Sequence, residues 1–449
     1  MSTVYKKLGD RAHVVAVSMG YGHERAAYGL NGLSGEDGVI VANNYKGIPK
    51  EEKEHWRKNR DAYETVSRLQ QTPIVGKYIF EVMDYLQEIP LFYPRRDLSK
   101  PSLQLKYVYR DIVKHRVCRD LIARLSKNPI PLISTFFVCA FAAEYYNYPG
   151  DIYCVICDAD MSRAWVSFYP QRARIKYFAP NGRVVERLKL YGVPEKNIFL
   201  TGFPLPKSLI GGPHASVLKE DMAHRIFNLD PHRIFTSRHE ATLHHWLGSH
   251  HAPRRKHHPL TLTFAVGGAG AQRLLGRTIL ESLRGKIASH EIRLNLVAGV
   301  KNDVAQYFRD AVREFRLGKE LGTWVNVVYT ETRPDYFHTF TNLMHETDIL
   351  WTKPSELSFY TGLGIPILMA PSLGSQEDFN RLWLKTVGGG ITQNDPRYTH
   401  EWLFDWVESG GLARAAWNGF IEAPTHGTYR IEEIISGRKY HLAKLPLIV

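Results

Sequence analysis

Short apolar runs alternate along the chain with longer stretches in which apolar residues recur every three or four positions. The runs are typical of buried strands and the stretches of amphipathic helices. Strands are predicted at 14–18, 151–158, 260–266, 293–298, 325–329, 348–352 and 365–370, and helices at 24–33, 183–191 and 272–289. This order favours parallel sheets covered by helices, so the predicted fold class is α/β with two doubly wound halves.

The pattern lapses between about residues 204 and 259. Ten of the 20 histidines lie here, between His214 and His258, and several form adjacent pairs. Adjacent side chains diverge on a helix or a strand, which disfavours a single metal site. We interpret the segment as a partly flexible, histidine-rich insertion near a domain junction, with metal binding as the less favoured alternative.

Positive charge is in excess: the formal net charge is +13, and residues 94–125 hold nine Lys or Arg against three Asp. This excess suggests a polyanionic partner. The apolar run 89–93 comes just before the basic segment and looks exposed, which favours an anionic membrane surface over nucleic acid, so no nucleic-acid partner is expected. A solvated basic helix beside a core-packed loop explains the same pattern.

Neither the cysteines nor the apolar stretches indicate an extracytoplasmic protein. Four cysteines are too few for a disulfide framework, and Cys154 and Cys157 lie in an apolar run that predicts a buried strand rather than a redox or zinc site. The longest nearly apolar stretch, 130–143, is too short to span a bilayer, and the first residues do not have a signal-peptide pattern. A cytoplasmic location is therefore expected, with peripheral membrane attachment as an extension of it.

The first chemical motif is VVAVSMGYGHERAA at 14–27. A strand leads through Gly20 and Gly22 into a helix that opens at His23. The imidazole is then at the carboxyl end of a parallel sheet, where ligands of open α/β sheets bind, and the helix end favours its neutral, basic form. His23 is a candidate general base, although a histidine packed into the core is the simpler interpretation of so short a pattern.

The second motif is FAVGGAGAQR at 264–273. A strand enters a loop containing Gly267, Gly268 and Gly270, and a long helix follows. Backbone amides and the helix dipole at such a junction can bind phosphate, and Arg273 can add positive charge. An ordinary strand-to-helix turn is the alternative.

The third motif spans residues 350–380 and predicts strand, turn, short helix, strand, polar turn and helix. Ser355 and Glu356 are predicted to open the short helix, whose amino end can face an anion. Gln376 and Asn380 are four residues apart, so both can point at one polar ligand, with Glu377 between them. Two capped helices with solvated polar ends would also explain these residues.

In their order, these motifs resemble the GT-B glycosyltransferases. The similar branch contains the monogalactosyldiacylglycerol synthases, the processive diacylglycerol glucosyltransferases and the N-acetylglucosaminyltransferase of the lipid-linked peptidoglycan precursor. The resemblance runs from about residue 12 to 391 through SMGYGHERAA, VICDADMSRAW, YFAPNGRVVERL, YGVPEKNIFLTGFPL, the glycine loop, TKPSE and QEDFN, with the histidine-rich segment unmatched.

The resemblance implies two Rossmann-like domains facing a central cleft and a metal-independent hexosyltransferase that needs no cofactor. His23 corresponds to the proposed base, Asp158 to the aspartate of the family's strand, and Gly20 and Gly22 to the acceptor-side loop. The glycine loop with Arg273, TKPSE and QEDFN correspond to segments that bind a nucleotide-sugar donor, with UDP favoured and a membrane lipid as the expected acceptor. The implied boundaries are 1–205 for acceptor binding, 206–259 for the insertion, 260–430 for donor binding and 431–449 for a segment returning to the first domain.

One position departs from the family pattern. Phe359 stands five residues before Gly364, where the family usually has an acidic residue that holds the ribose hydroxyls of the nucleotide. Glu356 can substitute from a displaced backbone. Two alternatives to a transferase follow from the fold and this position: a nucleotide-sugar 2-epimerase, and a non-catalytic protein that binds a nucleotide sugar or a membrane surface.

Overall fold

The computed structural model describes residues 11–35, 38–69, 89–248, 258–265, 272–372, 375–442 and 444. They form two parallel six-stranded sheets flanked by helices, which confirms the predicted fold class. The glycine loop at 267–270 and the histidines at 250, 251 and 257 lie outside the described residues. None of the described helices is both long enough and apolar enough to cross a membrane.

The strands of the first sheet are β1 (His13–Ala16), β2 (Ile40–Val41), β3 (Leu132–Ser134), β4 (Ile152–Val155), β5 (Lys176–Ala179) and β6 (Ile198–Leu200). Those of the second are β7 (Thr261–Ala265), β8 (Arg293–Gly299), β9 (Val325–Tyr329), β10 (Ile349–Thr352), β11 (Ile367–Met369) and β12 (Gly390–Thr392).

The described α-helices are α1 (Gly22–Gly29), α2 (Lys50–Leu69), α3 (Leu103–His115), α4 (Arg119–Leu125), α5 (Phe137–Tyr145), α6 (Gly182–Leu190), α7 (Ser216–Leu229), α8 (Ile234–Leu247), α9 (Arg273–Ala288), α10 (Asn302–Glu314), α11 (Arg333–His345), α12 (Ser375–Thr386), α13 (Thr399–Glu408), α14 (Gly411–Glu422) and α15 (Gly427–Ser436). Short 3₁₀ helices are found at Arg163–Trp165, Glu195–Asn197, Lys207–Leu209, Glu356–Leu363 and Pro396–Tyr398.

The first sheet has the strand order β2-β1-β3-β4-β5-β6. Val15 in β1 pairs with Ile40 on one side and with Ser134 on the other, both in parallel register. The chain leaves β1 towards one edge of the sheet and returns to continue towards the other edge. The point between β1 and β3 is therefore a topological switch point, where open parallel sheets leave a crevice for ligands.

The second sheet has the strand order β12-β11-β10-β7-β8-β9. Counted from β7, this is the order 6-5-4-1-2-3 of dinucleotide-binding folds read from the other edge, and its switch point lies between β7 and β10. Leu350 in β10 pairs with Thr263 in β7. The segments that follow these two strands consequently leave the same edge of the sheet side by side.

The described residues divide into two compact units. The first contains those within 1–206, 373–380 and 424–449, and the second those within 207–372 and 381–423. Helix α15 belongs to the first unit, where the Thr428 hydroxyl donates a hydrogen bond of 2.6 Å to the carbonyl of Leu205. A Cβ at Gly427 would collide with the carbonyl oxygen of Phe203, so this close approach of the backbones requires glycine.

The segment expected to be a partly flexible insertion instead carries the helices α7 and α8. Apolar side chains such as Met222, Ile226 and Leu243 join the core of the second unit. Arg225 is also buried, and its guanidinium donates to the carbonyl oxygens of Thr347, Leu363 and Met344. The expectation of a loosely structured segment was therefore wrong for residues 216–247.

The apolar run 89–93, expected to be exposed, is divided between the core and the surface. Leu91 and Tyr93 are exposed, but Ile89 and Phe92 are buried. The Phe92 ring lies under two guanidinium groups, with its centroid 4.8 Å from Arg183 Cζ and 5.1 Å from Arg187 Cζ. Cation–π attraction and burial hold this ring in the first unit.

Candidate functional site

The first candidate segment connects β1 to α1 at the carboxyl edge of the first sheet. β1 ends at Ala16 and α1 begins at Gly22, so His23 is the second residue of the helix. Gly20 has a φ of +131°, which residues with a Cβ rarely adopt, and its missing Cβ would point into open space. The turn leaves room for a ligand at this edge of the sheet.

The His23 imidazole is partly buried against aromatic side chains. Its ring centroid lies 4.8 Å from that of Phe136 and 5.8 Å from that of Trp165. Phe136 comes shortly after β3, the strand that pairs with β1 across the switch point. His23 and Phe136 thus contact each other at the switch point, where the topology predicts a ligand.

Asp158 lies in a turn beyond the carboxyl end of β4, the next strand in the sheet. Asn380 is fully buried; its side-chain NH₂ donates to Asp158 at 2.9 Å, and its oxygen accepts from the Ala159 N–H at 2.7 Å. Asn181 donates to the Ala159 carbonyl from the other side at 3.1 Å. Two asparagine amides therefore fix the backbone next to Asp158.

Asp160, two residues further, has a different environment. Its carboxylate is fully buried and accepts two hydrogen bonds of 2.9 Å from Arg187 and one of 2.6 Å from Arg183. Burial alone would lower the pKa of Arg187, but the hydrogen bonds to Asp160 and the attraction of its negative charge together outweigh burial, so that pKa is raised overall. Asp160 is fully engaged in this ion pair, which leaves Asp158 as the carboxylate with a candidate chemical role.

In the second unit, the predicted diphosphate loop follows β7 outside the described residues, and Arg273 begins α9 just beyond it. The Arg273 guanidinium lies over the Tyr307 ring at 5.2 Å and 3.8 Å from the carboxylate of Asp303. Asp303 and Tyr307 both belong to α10. The arginine is thus held against that helix, at the start of α9.

The segment after β10 forms the predicted short helix, as a 3₁₀ helix over Glu356–Leu363 with Ser355 at its N-cap. Glu356 and Ser355 are partly exposed at this end. Phe359, at the family's acidic position, is buried and packs on Trp383 with ring centroids 4.9 Å apart. Residues three apart eclipse in a 3₁₀ helix, so Glu356 lies on the same side as Phe359, one turn closer to the helix start.

The structure separates Gln376 from Asn380, which were expected to point at one ligand. Gln376 and Glu377 are partly exposed in the first turn of α12, whereas Asn380 is buried in contact with Asp158 and Ala159. Asn380 thus holds the Asp158 turn in this structure, and its contact with a donor stays a prediction.

Phe136 was missed by sequence reasoning. The sequence does show that Phe136 comes shortly after an apolar run. Its relation to His23, however, depends on the pairing of β3 with β1, and this strand order is known only from the structure. Trp165 lies within the VICDADMSRAW motif, but its contact with His23 also depends on tertiary structure.

A family model described as a domain of unknown function (DUF6938) matches residues 249–429. Comparison with curated proteins gives no significant match. Among solved structures, S. aureus MnaA with UDP has 12% identity and a TM-score of 0.47, covering 94% of this chain and 95% of that chain. MurG of Acinetobacter baumannii has 10% identity and a TM-score of 0.43, covering 84% and 96%. UDP-GlcNAc 2-epimerase of Neisseria meningitidis, bound to UDP-GlcNAc, has 12% identity and a TM-score of 0.43, covering 76% and 84%.

Proposed function

We propose that this chain is a GT-B glycosyltransferase that moves a sugar from a nucleotide-diphosphate sugar, with a UDP-sugar favoured, to an acceptor hydroxyl. The observation that carries the proposal is the position of His23 at the switch point of the first sheet, against Phe136. The motif order that resembles the lipid-modifying branch supports the same assignment.

In the first unit, His23 is the proposed general base. It lies in the first turn of α1, where the positive end of the helix dipole disfavours a charged imidazole. A neutral imidazole can accept the proton of an acceptor hydroxyl. The partly exposed ring of Phe136 provides an apolar surface against which an acceptor can pack, and the buried Trp165 ring packs near the imidazole.

In the second unit, the proposed donor site is the carboxyl edge of the sheet between β7 and β10. The glycine-bearing segment follows β7, and Ser355 and Glu356 follow β10, which pairs with β7. Two segments chosen from sequence as donor-binding therefore begin at neighbouring strand ends. Backbone amides of a glycine loop before α9 are suited to a diphosphate.

The proposed reaction is a displacement at the anomeric carbon. The acceptor oxygen forms a bond to that carbon, the bond from the carbon to the diphosphate oxygen breaks, and the electron pair leaves with the nucleoside diphosphate. His23 takes the proton of the acceptor hydroxyl. Donor-side amides stabilise the negative charge that develops on the leaving group. Asp158 is proposed to assist the base or to orient the acceptor.

A lipid acceptor on an anionic membrane is proposed from the surface of the first unit. Five large apolar side chains between residues 91 and 113 are more than half exposed: Leu91, Tyr93, Leu103, Tyr107 and Val113. Six Lys or Arg residues lie between 94 and 114 in the same stretch. Apolar side chains interspersed with basic ones match the chemistry of an anionic lipid surface.

A second candidate, a protein that binds a nucleotide sugar without turnover, is favoured by one observation. Phe359 occupies the family's acidic position and is part of the core. In the transferase proposal, Glu356 holds the ribose hydroxyls in its place from the partly exposed start of the same helix.

The experiment is a thermal-shift screen of UDP-, GDP- and dTDP-sugars, followed by transfer of labelled sugar from the stabilising donor to anionic liposomes containing diacylglycerol. A transferase moves label to a lipid only when both donor and acceptor are present. Stabilisation by a donor without any transfer would support the binding protein, and conversion of the donor in the absence of acceptor would support the epimerase.

A further inference from the structure

Two helices of the first unit, outside the residues proposed for sugar transfer, bring metal-ligating side chains together. His55 and Asn59 are four residues apart on α2, and Asp111 and His115 are four residues apart on α3. Residues at this spacing share a helix face. One ligand atom each from His55, Asp111 and His115 lie within 4.8 Å of one another.

The contacts of His55 Nε2 suggest a cation. This nitrogen is 2.7 Å from Asp111 Oδ2 and 3.1 Å from the side-chain amide of Asn59. A carboxylate and an amide thus approach the same imidazole nitrogen, which brings three potential metal ligands to one point. A metal ion would be bound by the nitrogen lone pair, a carboxylate oxygen and, with the amide turned, the oxygen of Asn59.

We propose that His55, Asp111 and His115 bind a divalent transition-metal ion, with Zn²⁺ as the best-matched metal. Two imidazoles and one carboxylate are typical zinc ligands, and three protein ligands leave a fourth position for water, an anion or the oxygen of Asn59. The ion would join α2 to α3. Among the described residues, this is the one group of three such side chains.

The geometry requires one adjustment on binding. The two imidazoles are stacked, with centroids 4.3 Å apart and planes 15° apart, and parallel rings cannot both direct lone pairs at one ion. His115 has 41% of its side chain exposed and is free to rotate its ring, whereas His55, at 18%, is the more fixed ligand. His115 Nε2 is 3.9 Å from Asp111 Oδ1, so a small rotation brings it to the ion.

The neighbouring charges make the site dependent on all three ligands. Asn59, Asp111 and His115 line a cavity of about 460 Å³ together with the basic side chains of Arg110 and Lys114. Two positive charges oppose binding of a cation, and Asp111 supplies the one negative charge among the proposed ligands. Loss of the carboxylate or of either imidazole should therefore weaken binding strongly.

The test is zinc titration of the full chain by calorimetry, with wild type compared with His55→Ala, Asp111→Asn and His115→Ala. We expect the wild type to bind zinc at a single tight site. Each substitution should lower the zinc affinity of that site at least about tenfold, since loss of a residue that only hydrogen-bonds to a ligand already lowers metal affinity by that factor. His115 is exposed, so the His115→Ala variant should keep the circular dichroism spectrum and the metal-free melting temperature of the wild type.

The control is a double variant, His244→Ala with His245→Ala, which removes an adjacent histidine pair at the end of α8. Its zinc affinity at the tight site should equal that of the wild type, and anomalous scattering from zinc-soaked crystals should place the ion between α2 and α3. Wild-type protein without a tight site, or a tight site unchanged in all three ligand variants, would overturn the proposal.

Discussion

Asn380 donates a hydrogen bond of 2.9 Å to the carboxylate of Asp158, although the two residues are 222 positions apart in the chain. The same side chain accepts from the N–H of Ala159. A residue from the QEDFN segment, which by resemblance binds donor, is thus part of the first unit and fixes a proposed catalytic carboxylate there.

Replacing Asn380 should therefore affect turnover rather than donor binding. In Asn380→Ala, the Ala159 N–H and Asp158 lose a buried partner, so we expect kcat to fall at least about tenfold while the KM for the donor stays the same. Gln376→Ala is the matched variant four residues earlier, on a partly exposed position, and should instead raise the donor KM. A raised donor KM with unchanged kcat in Asn380→Ala would show that Asn380 contacts the donor.

Glu356 should determine affinity for the ribose of the donor. Glu356→Gln removes the charge from its hydrogen bonds, each worth about 1.5–3 kcal/mol, so the dissociation constant of the donor should rise about tenfold or more in calorimetry. Phe359→Leu, which keeps an apolar side chain in the core, should leave the dissociation constant of the donor unchanged. Equal affinity of Glu356→Gln and wild type would remove Glu356 from the donor site.

Removing one partner of the buried ion pair between Asp160 and Arg187 should destabilise the first unit more than removing both. Arg187→Met leaves a buried carboxylate with a single guanidinium partner, so we expect a loss of about 3–5 kcal/mol in the free energy of urea unfolding. Combining it with Asp160→Asn should recover part of that loss. The control is Arg277→Met, which breaks an ion pair with the exposed Glu314 and should cost much less, because water screens that pair. A similar loss for both single variants would contradict the account.

His345 should make the stability of the second unit depend on pH. Its hydrogen bond of 2.6 Å to Asp221 raises the pKa of the imidazole above the usual 6.5, against the opposing effect of burial. A raised pKa means that the stabilisation is complete below pH 6.5 and is lost as pH rises through the higher, folded-state value.

The measurement is urea unfolding of wild type and His345→Gln between pH 5.5 and 9. The difference in free energy of unfolding should be largest at the acidic end and should shrink as pH rises. Because the other histidines are common to both proteins, their titration cancels in the difference. A difference that is constant over this range would show that His345 has the same pKa in the folded and unfolded states, and would contradict the raised pKa.

The alternation of strands and helices was predictable because each buried strand is a local apolar run. The strand predicted at 325–329 coincides with β9, and the motif at 14–27 forms β1, a glycine turn and α1. The helix predicted at 24–33 ends earlier, at Gly29, and the chain turns at Leu30, whose N–H bonds to the carbonyl of Ala27.

Features that depend on distant partners were not predictable. Arg225 and Asn228 interrupt the apolar pattern of α7, but both are buried, and Arg225 bonds to carbonyls more than 100 residues away. Phe92 is buried because Arg183 and Arg187 cover it. The role of Asn380 likewise depends on Asp158, a contact that no local pattern encodes.

The most direct measurement is the turnover of His23→Gln with the donor and acceptor found in the transfer assay. General-base catalysis is worth about 10²–10⁴-fold, so kcat should fall by that factor while the dissociation constant of the donor is unchanged. His13→Gln is the control, since His13 lies in β1 and bonds to the carbonyl of Asn128. Wild-type kcat in His23→Gln would contradict the assignment of His23 as the base and with it the proposed active site.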